Sequence, residues 1–337
     1  MTDAAFPAET AGFGAEHDTV RSLSAEERYL RYTGRGGELF WIYVKNILFS
    51  VLTLGVYRFW GNTRIRRYLW SHLLFLGEPF EYTGTGWELF LGFLKAMLVL
   101  VPLFLGFGIL EVVLLQVAPG FVLIVPILQA ITVLGLTYLG LYAARRYRMR
   151  RTLWRGIRFQ QRGSAWTYLG LALRGLLLTV LTLGLYLPFL DARLRRYEMN
   201  NLSFGTEPFA FDGEGRDLFK PFLVAWLLAI PTFLMSMFWF AARSRRYYAS
   251  RTSFGGLRFA MPVTGWQVAR LHIGNALLTF ISFGLLYPLV VRRMASFWCN
   301  NLAVKGRIDF SAIAQAERGP ETGEGLASYL GLETMGV

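Results

Sequence analysis

The chain has 337 residues, of which 54% are hydrophobic, 16% aromatic and 17% charged, with a formal net charge of +13. An average soluble domain carries about 25% charged residues, so this composition excludes an ordinary soluble protein and points to an integral membrane protein. The basic residues lie beside apolar segments, not on a polar domain, which argues against nucleic acid as a partner.

Residues 1–31 are polar and mixed in charge, with no apolar core ahead of small residues, so they read as an N-terminal extension and not as a cleaved signal peptide. From residue 32 the sequence repeats. Tyr32-Thr33-Gly34-Arg35-Gly36-Gly37-Glu38-Leu39-Phe40 recurs as Tyr82-Thr83-Gly84-Thr85-Gly86-Trp87-Glu88-Leu89-Phe90, and less closely as Phe211-Asp212-Gly213-Glu214-Gly215-Arg216-Asp217-Leu218-Phe219. A basic cluster ending in an aromatic falls at Tyr68, Tyr147, Tyr197, Tyr247 and Phe297. Five tandem units of about 50 residues therefore tile a membrane domain over 32–310, at 32–81, 82–160, 161–210, 211–260 and 261–310, with 29 extra residues in the second. The segment 311–337, rich in Glu, Gly and Ala, reads as a flexible tail.

Each unit divides into a Gly-rich turn, an apolar segment, a basic aromatic helix and a short strand. The turn lacks the third glycine of a dinucleotide fingerprint and the Gly-Lys-Ser/Thr of a P-loop, so its glycines serve the backbone. The apolar segments of odd units end in Leu52-Thr53-Leu54-Gly55-Val56-Tyr57, Leu181-Thr182-Leu183-Gly184-Leu185-Tyr186 and Ile281-Ser282-Phe283-Gly284-Leu285-Leu286-Tyr287, a pattern that marks a helix end or kink. Phe80-Glu81-Tyr82-Thr83, Ile157-Arg158-Phe159 and Phe209-Ala210-Phe211 alternate in polarity between glycines and suggest short strands. Two-stranded pieces are marginal alone, so several units should pool them into one small sheet.

Six runs, roughly 38–60, 88–117, 119–144, 166–190, 218–242 and 271–291, are apolar and long enough to cross a bilayer. The expected fold is an all-α integral membrane protein of about six hydrophobic segments, with short β-strands between units. Six spans put the basic loops 61–87, 145–165 and 243–270 on the cytoplasmic side by the positive-inside rule. They also put Arg193, Arg195 and Arg196 on the opposite side from the equivalent Arg64, Arg66 and Arg67. If all five arginine motifs share the cytoplasmic face instead, the single-segment units must be re-entrant or interfacial, and only unit two crosses as a hairpin.

Of 35 basic residues 31 are arginine, whose planar fork suits phosphate. The candidates for contact with lipid or phosphate headgroups are Arg64, Arg66, Arg67, Arg145, Arg146, Arg151, Arg193, Arg195, Arg196, Arg245, Arg246 and Arg251, and the bland alternative is positive-inside anchoring. Inside the apolar segments Lys45, Lys95 and Arg174 occupy one position of units one to three, shallow enough to snorkel, while Glu111 belongs to the long second unit alone. Catalysis finds little support. His17, His72 and His272 are scattered, no metal-ligand spacing or nucleophile elbow occurs, and Cys299 has no base beside it, so no catalytic residue, metal or cofactor is expected. A lone cysteine also excludes an intramolecular disulfide.

Laid out in this way, the chain resembles the YjgN-like family of bacterial inner-membrane proteins. The resemblance is carried by Tyr32-Thr33-Gly34 to Phe40, Leu52 to Tyr57 with Trp60, Arg66-Arg67-Tyr68, Phe80 to Gly84, Asn200-Asn201-Leu202-Ser203-Phe204-Gly205 and Arg251-Thr252-Ser253-Phe254-Gly255. It covers about residues 30–310, with Arg58 where proline is common after the tyrosine. The resemblance implies a multi-pass protein of the bacterial inner membrane and brings no activity, cofactor or catalytic residue. The expected function is non-enzymatic, either transport or a membrane scaffold. The alternatives are an anionic-lipid binder that uses the arginine clusters and, less favoured, a lipid-modifying enzyme.

Overall fold

The apolar segments do not run on into the basic helices; they turn back. In the computed structural model, which describes residues 20–23 and 29–315, each segment pairs with the basic helix that follows it. The pairs are α1–α2 (Gly36–Leu52, Arg58–Ser71), α3–α4 (Gly86–Val117, Ile124–Arg150), α5–α6 (Ala165–Leu181, Leu187–Asn200), α7–α8 (Gly215–Leu227, Met235–Ser250) and α9–α10 (Gly265–Ile281, Tyr287–Asn301). Two strands, β1 (Val20–Leu23) and β2 (Leu30–Tyr32), precede them. Four β-hairpins lie between successive pairs: β3–β4 (Leu73–Phe75, Glu78–Tyr82), β5–β6 (Thr152–Trp154, Ile157–Gln161), β7–β8 (Leu202–Phe204, Glu207–Phe211) and β9–β10 (Thr252–Phe254, Leu257–Ala260). A last strand, β11 (Ala303–Asp309), follows α10.

The turns explain the reversal. Leu54 and Gly55 take left-handed φ of 51° and 88°, as do Leu183 and Gly184 (52° and 93°) and Phe283 and Gly284 (49° and 82°). Consecutive left-handed residues end a helix with hydrogen bonds back to its last carbonyls, here Gly55 N–H to Ser50 O at 2.6 Å and Gly184 N–H to Thr179 O at 2.7 Å. Unit four does the same without glycine, through Phe233 (49°) and Leu234 (65°). The chain then returns to the level at which it started, so every basic helix delivers its arginines to the same end of the molecule.

At that end the strands join one antiparallel sheet of 11 strands, ordered β1-β11-β10-β9-β8-β7-β6-β5-β4-β3-β2. Neighbouring units are tied by pairs such as Phe80 opposite Trp154, Phe159 opposite Phe204 and Phe209 opposite Phe254. These residues turn the same way and pack, with Leu257, Val304, Ile308 and Ile313, into one aromatic core. Burying a phenylalanine contributes about 1.5–3 kcal/mol, which no single hairpin could secure alone.

Helices close a ring outside the sheet. Each odd helix packs between its own partner and the even helix before it, and α10 closes the circle against α1 and β2. Several odd helices open with a glycine in close contact with the preceding helix, where Gly86 meets Trp60, Gly215 meets the backbone of Phe189, and Gly265 meets Trp239.

Two expectations are therefore corrected. The protein is not all-α, because the strands pool into a sheet that organises the whole ring. Nor are there six spans: among the described residues only the helices Gly86–Val117 and Pro119–Arg150 are long and apolar enough to cross a membrane. The other apolar runs counted as spans hold a helix of 13 or 17 residues, a turn and the start of the returning helix. Of the tail expected at 311–337, residues 316–337 lie outside the described residues, and Ile313 is buried in the sheet core.

Candidate functional site

In four of the five units the aromatic that ends the basic cluster is a tyrosine, and its hydroxyl is a fastener. The Tyr68 hydroxyl accepts from Arg35 N–H at 2.8 Å and donates to Glu38 at 3.0 Å, binding α2 to the start of α1. Tyr247 repeats this with Glu214 N–H at 2.6 Å and Asp217 at 2.6 Å, and Tyr197 with Ser164 N–H at 2.7 Å. Tyr147 instead meets Glu88 at 2.7 Å, where Arg151 also pairs at 2.7 Å. The bonds from Arg35, Ser164 and Glu214 N–H satisfy groups that a helix start leaves open, and the four tyrosines hold α2, α4, α6 and α8 in one rotation.

That rotation sorts the arginines. Directly before the tyrosine, Arg67 donates to Gly84 O and Arg196 to Gly213 O, both at 3.0 Å, so they hold the next unit's turn. Arg146, at the same position, is buried with 4% exposure. Four residues after the tyrosine, Arg251 pairs with Asp212 and Asp217 at 3.6 and 3.7 Å, as Arg151 does with Glu88. Arg64 and Arg193 are exposed, Arg193 lying over the Tyr186 ring at 5.5 Å. Arg246 is exposed at the wall of a cavity of about 470 Å³ that it shares with Lys220 and Arg243.

The remaining four, Arg66, Arg145, Arg195 and Arg245, stand two residues before the tyrosine, where successive even helices face one another; Arg66 is buried, Arg145 and Arg195 are half-buried and Arg245 is exposed. Arg145 on α4 bridges to Glu198 on α6 at 3.2 Å. Tyr248 on α8 donates to Asp191 on α6 at 2.5 Å, and Arg245 lies 5.1 Å from the Trp298 ring centre on α10. Arg66, only 8% exposed, reaches the Tyr82 hydroxyl at 3.3 Å, and its charge acts on Arg148 of α4. Arg195 is half-buried, with its Nε buried and without a hydrogen-bond partner. Burial pushes its pKa below that of an ordinary guanidinium, and the Arg145 charge adds to the shift while Glu198 opposes it. Among the described residues, five guanidinium groups thus gather near the carboxylates of Asp191 and Glu198.

Sequence reasoning named four of these arginines without separating them from their neighbours, and it missed Arg148, Asp191, Glu198 and Tyr248. The signal was present: residues 191, 195 and 198 fall on one helix face, as do 145 and 148. Lys45, Lys95 and Arg174 lie apart from the cluster, exposed on α1, α3 and α5, and Glu111 is half-buried on α3. Among the described residues no group of His, Cys, Asp or Glu could hold a metal ion. Burial raises the Cys299 thiol pKa to about 11.

Comparison with known proteins agrees with a membrane setting. The chain is 31% identical over 85 residues to the inner membrane protein YjgN of Salmonella typhimurium (25% of this chain, 22% of that protein). It is 30% identical over 143 residues to YjgN of Escherichia coli O157:H7 (42% of this chain, 32% of that protein). The aligned stretches thus span about a third or less of these relatives. No solved structure matches the chain. The profile of a bacterial protein family of unknown function, DUF898, matches residues 27–244 and 228–329, and the chain belongs to that family.

Proposed function

We propose that the protein is a non-enzymatic scaffold of the bacterial inner membrane that crosses it with the α3–α4 hairpin and holds the phosphate of anionic headgroups in this arginine cluster. The observation that carries this reading is the register of the cluster. Arg66, Arg145, Arg195 and Arg245 come from four different helices at one position, and with Arg148 they outnumber Asp191 and Glu198. Like charges brought together repel, most strongly where Arg66, Arg145 and Arg195 are drawn partly out of bulk water, and a phosphate that accepts forked hydrogen bonds from two or more of the arginines offsets that repulsion. The positive-inside rule puts this basic end in the cytoplasm, beside the leaflet surface where anionic lipids attract it.

Transport is less well supported. Transporter sites lie near the bilayer midplane between repeats, whereas the two helices long enough to cross belong to one unit and leave Glu111 without an equivalent in the others.

The test is native mass spectrometry of the detergent-purified protein titrated with phosphatidylglycerol, phosphatidylcholine or inorganic phosphate. Phosphatidylglycerol should bind at least tenfold tighter than phosphatidylcholine, and the pair Arg195→Gln with Arg245→Gln should remove most of that difference while Arg193→Gln leaves it. Binding of inorganic phosphate with the same sensitivity would identify the phosphate group as what is recognised. Unchanged preference for phosphatidylglycerol in the double variant would refute the reading.

A further inference from the structure

The four short helix pairs end in apolar tips that no other described residue covers. Leu54 is 95% exposed, Leu183 80%, Phe233 92% and Phe283 93%, and Leu52, Leu181, Ile230 and Ile281 beside them are exposed as well. In water such tips would be a liability on four of five units. All four point away from the sheet, in the direction of the α3–α4 hairpin.

How deep they reach follows from the cationic residues on the outer face. Lys45, Lys95 and Arg174 each stand nine residues after the first residue of their helix. A long basic side chain in this setting keeps its charge at the headgroup level. Seven residues separate Lys45 from Leu52 at the end of α1, and likewise Arg174 from Leu181, whereas 22 separate Lys95 from Val117 at the end of α3. At ~1.5 Å per residue these are ~10 Å and ~33 Å. A bilayer's hydrocarbon is ~30 Å thick, so α3 spans all of it, and the short helices, with their turns, span about one leaflet. Exposed Trp87, Trp166 and Trp266, each second in its helix, fall at the interface, where tryptophan collects.

The tips are also built for a medium without water. Backbone groups at membrane depth must be satisfied internally, and the turns do this in the same way four times. Gly55, Gly184, Leu234 and Gly284 donate to the carbonyl five residues back at 2.6 to 2.8 Å. Thr53, Thr182, Thr232 and Ser282 each donate to the carbonyl four residues back and accept the N–H four residues on. The charged exception, Arg58, lines a mostly apolar cavity of about 520 Å³, to which Asn46, Ser50 and Asn62 also contribute.

We infer that α1–α2, α5–α6, α7–α8 and α9–α10 insert into the acyl chains of the cytoplasmic leaflet alone, so that the protein is a one-leaflet wedge pinned by a single transmembrane hairpin. Ten helices then occupy the cytoplasmic leaflet and two the other. This rests on the membrane crossing of α3–α4 and is independent of headgroup binding by the arginines.

The test uses full-length protein with Cys299→Ser and one new cysteine at a time: Phe121→Cys between α3 and α4, or Leu52→Cys, Leu181→Cys, Ile230→Cys and Ile281→Cys at the tips. Phe121→Cys should react with a membrane-impermeant maleimide added to spheroplasts. The tip cysteines should stay unlabelled both in spheroplasts and in inverted vesicles. A fluorophore placed on them in detergent should, after reconstitution, be quenched at least twofold more by lipids brominated deep in the acyl chain than by a headgroup quencher. Tip labelling from the periplasmic side would show full crossing, and labelling from the cytoplasmic side would show tips in water; either overturns the inference. Failure of Phe121→Cys to label would overturn the crossing on which it rests.

Discussion

Gly215→Ala tests how the units are joined. Gly215 opens α7, and a Cβ there would stand 2.4 Å from Phe189 Cα, 2.9 Å from Phe189 N and 2.9 Å from Pro188 O. Comfortable contact needs about 3.5–4.0 Å, so α7 must withdraw from α6 by about 1 Å. These neighbours are backbone atoms inside a helix and cannot rotate away. Withdrawal also strains the 2.6 Å bond from Glu214 N–H to the Tyr247 hydroxyl. Overpacking costs about 1–3 kcal/mol and a weakened hydrogen bond about 1, while the better helix propensity of alanine returns up to about 1. The expected net loss is about 1–3 kcal/mol. Gly170→Ala is the control, since Gly170 lies within α5 and nothing stands within 4 Å of its Cβ position; it should raise stability by up to about 1 kcal/mol. Chemical unfolding in mixed micelles, followed by tryptophan fluorescence, gives both values with opposite signs. A Gly215→Ala protein as stable as the parent would refute the view that units dock through helix starts without side chains.

Two further outcomes follow from the tips and the core. Gly184 has φ of 93° with only Trp226 Nε1 near its Cβ position, at 3.7 Å, so Gly184→Ala meets backbone strain and little else and should cost about 1–2 kcal/mol. Leu234 already bears that strain at φ 65°, so Leu234→Gly should shift stability the other way by up to about 1 kcal/mol; equal effects of the two changes would contradict this. Cys299 should resist maleimide at pH 7 to 8 in the folded protein and react after denaturation, since its pKa is raised from 9.0 to about 11 by burial. Because the folded state holds the thiol proton more tightly, the stability linked to it is fully present below pH 9 and is lost as the pH rises towards 11. Rapid labelling at pH 7 would show that the thiol is accessible.

Much of the local structure was legible. The alternation in Phe80-Glu81-Tyr82 and Phe209-Ala210-Phe211 marked strands that the structure contains in β4 and β8, because period-two polarity needs only neighbouring residues. The length and hydropathy of 88–117 and 119–144 marked the two helices able to cross. The count of six failed for a physical reason. Hydropathy records how long the chain stays apolar and is blind to its direction, and a turn such as Leu52-Thr53-Leu54-Gly55 adds apolar residues while reversing the path. The glycine in that motif was visible as a helix end, but Leu234 does the same work without one. The candidate site was half legible in the same way. Arginine clusters were plain, yet which arginine faces its fellows and which holds a carbonyl depends on helix rotation, and Tyr68, Tyr197 and Tyr247 set that rotation from 33 residues away.

By itself, then, the sequence determined the membrane class, the strands between glycines and the basic aromatic helices, since each of these depends on composition or on contacts within a few residues. Only the tertiary structure decided that the units close into a ring around one sheet, that four of them turn back after a helix of 13 or 17 residues, and that Arg66, Arg145, Arg195 and Arg245 come near one another. Those outcomes depend on the direction of the chain and on pairings between residues of different units, which no window along the chain contains.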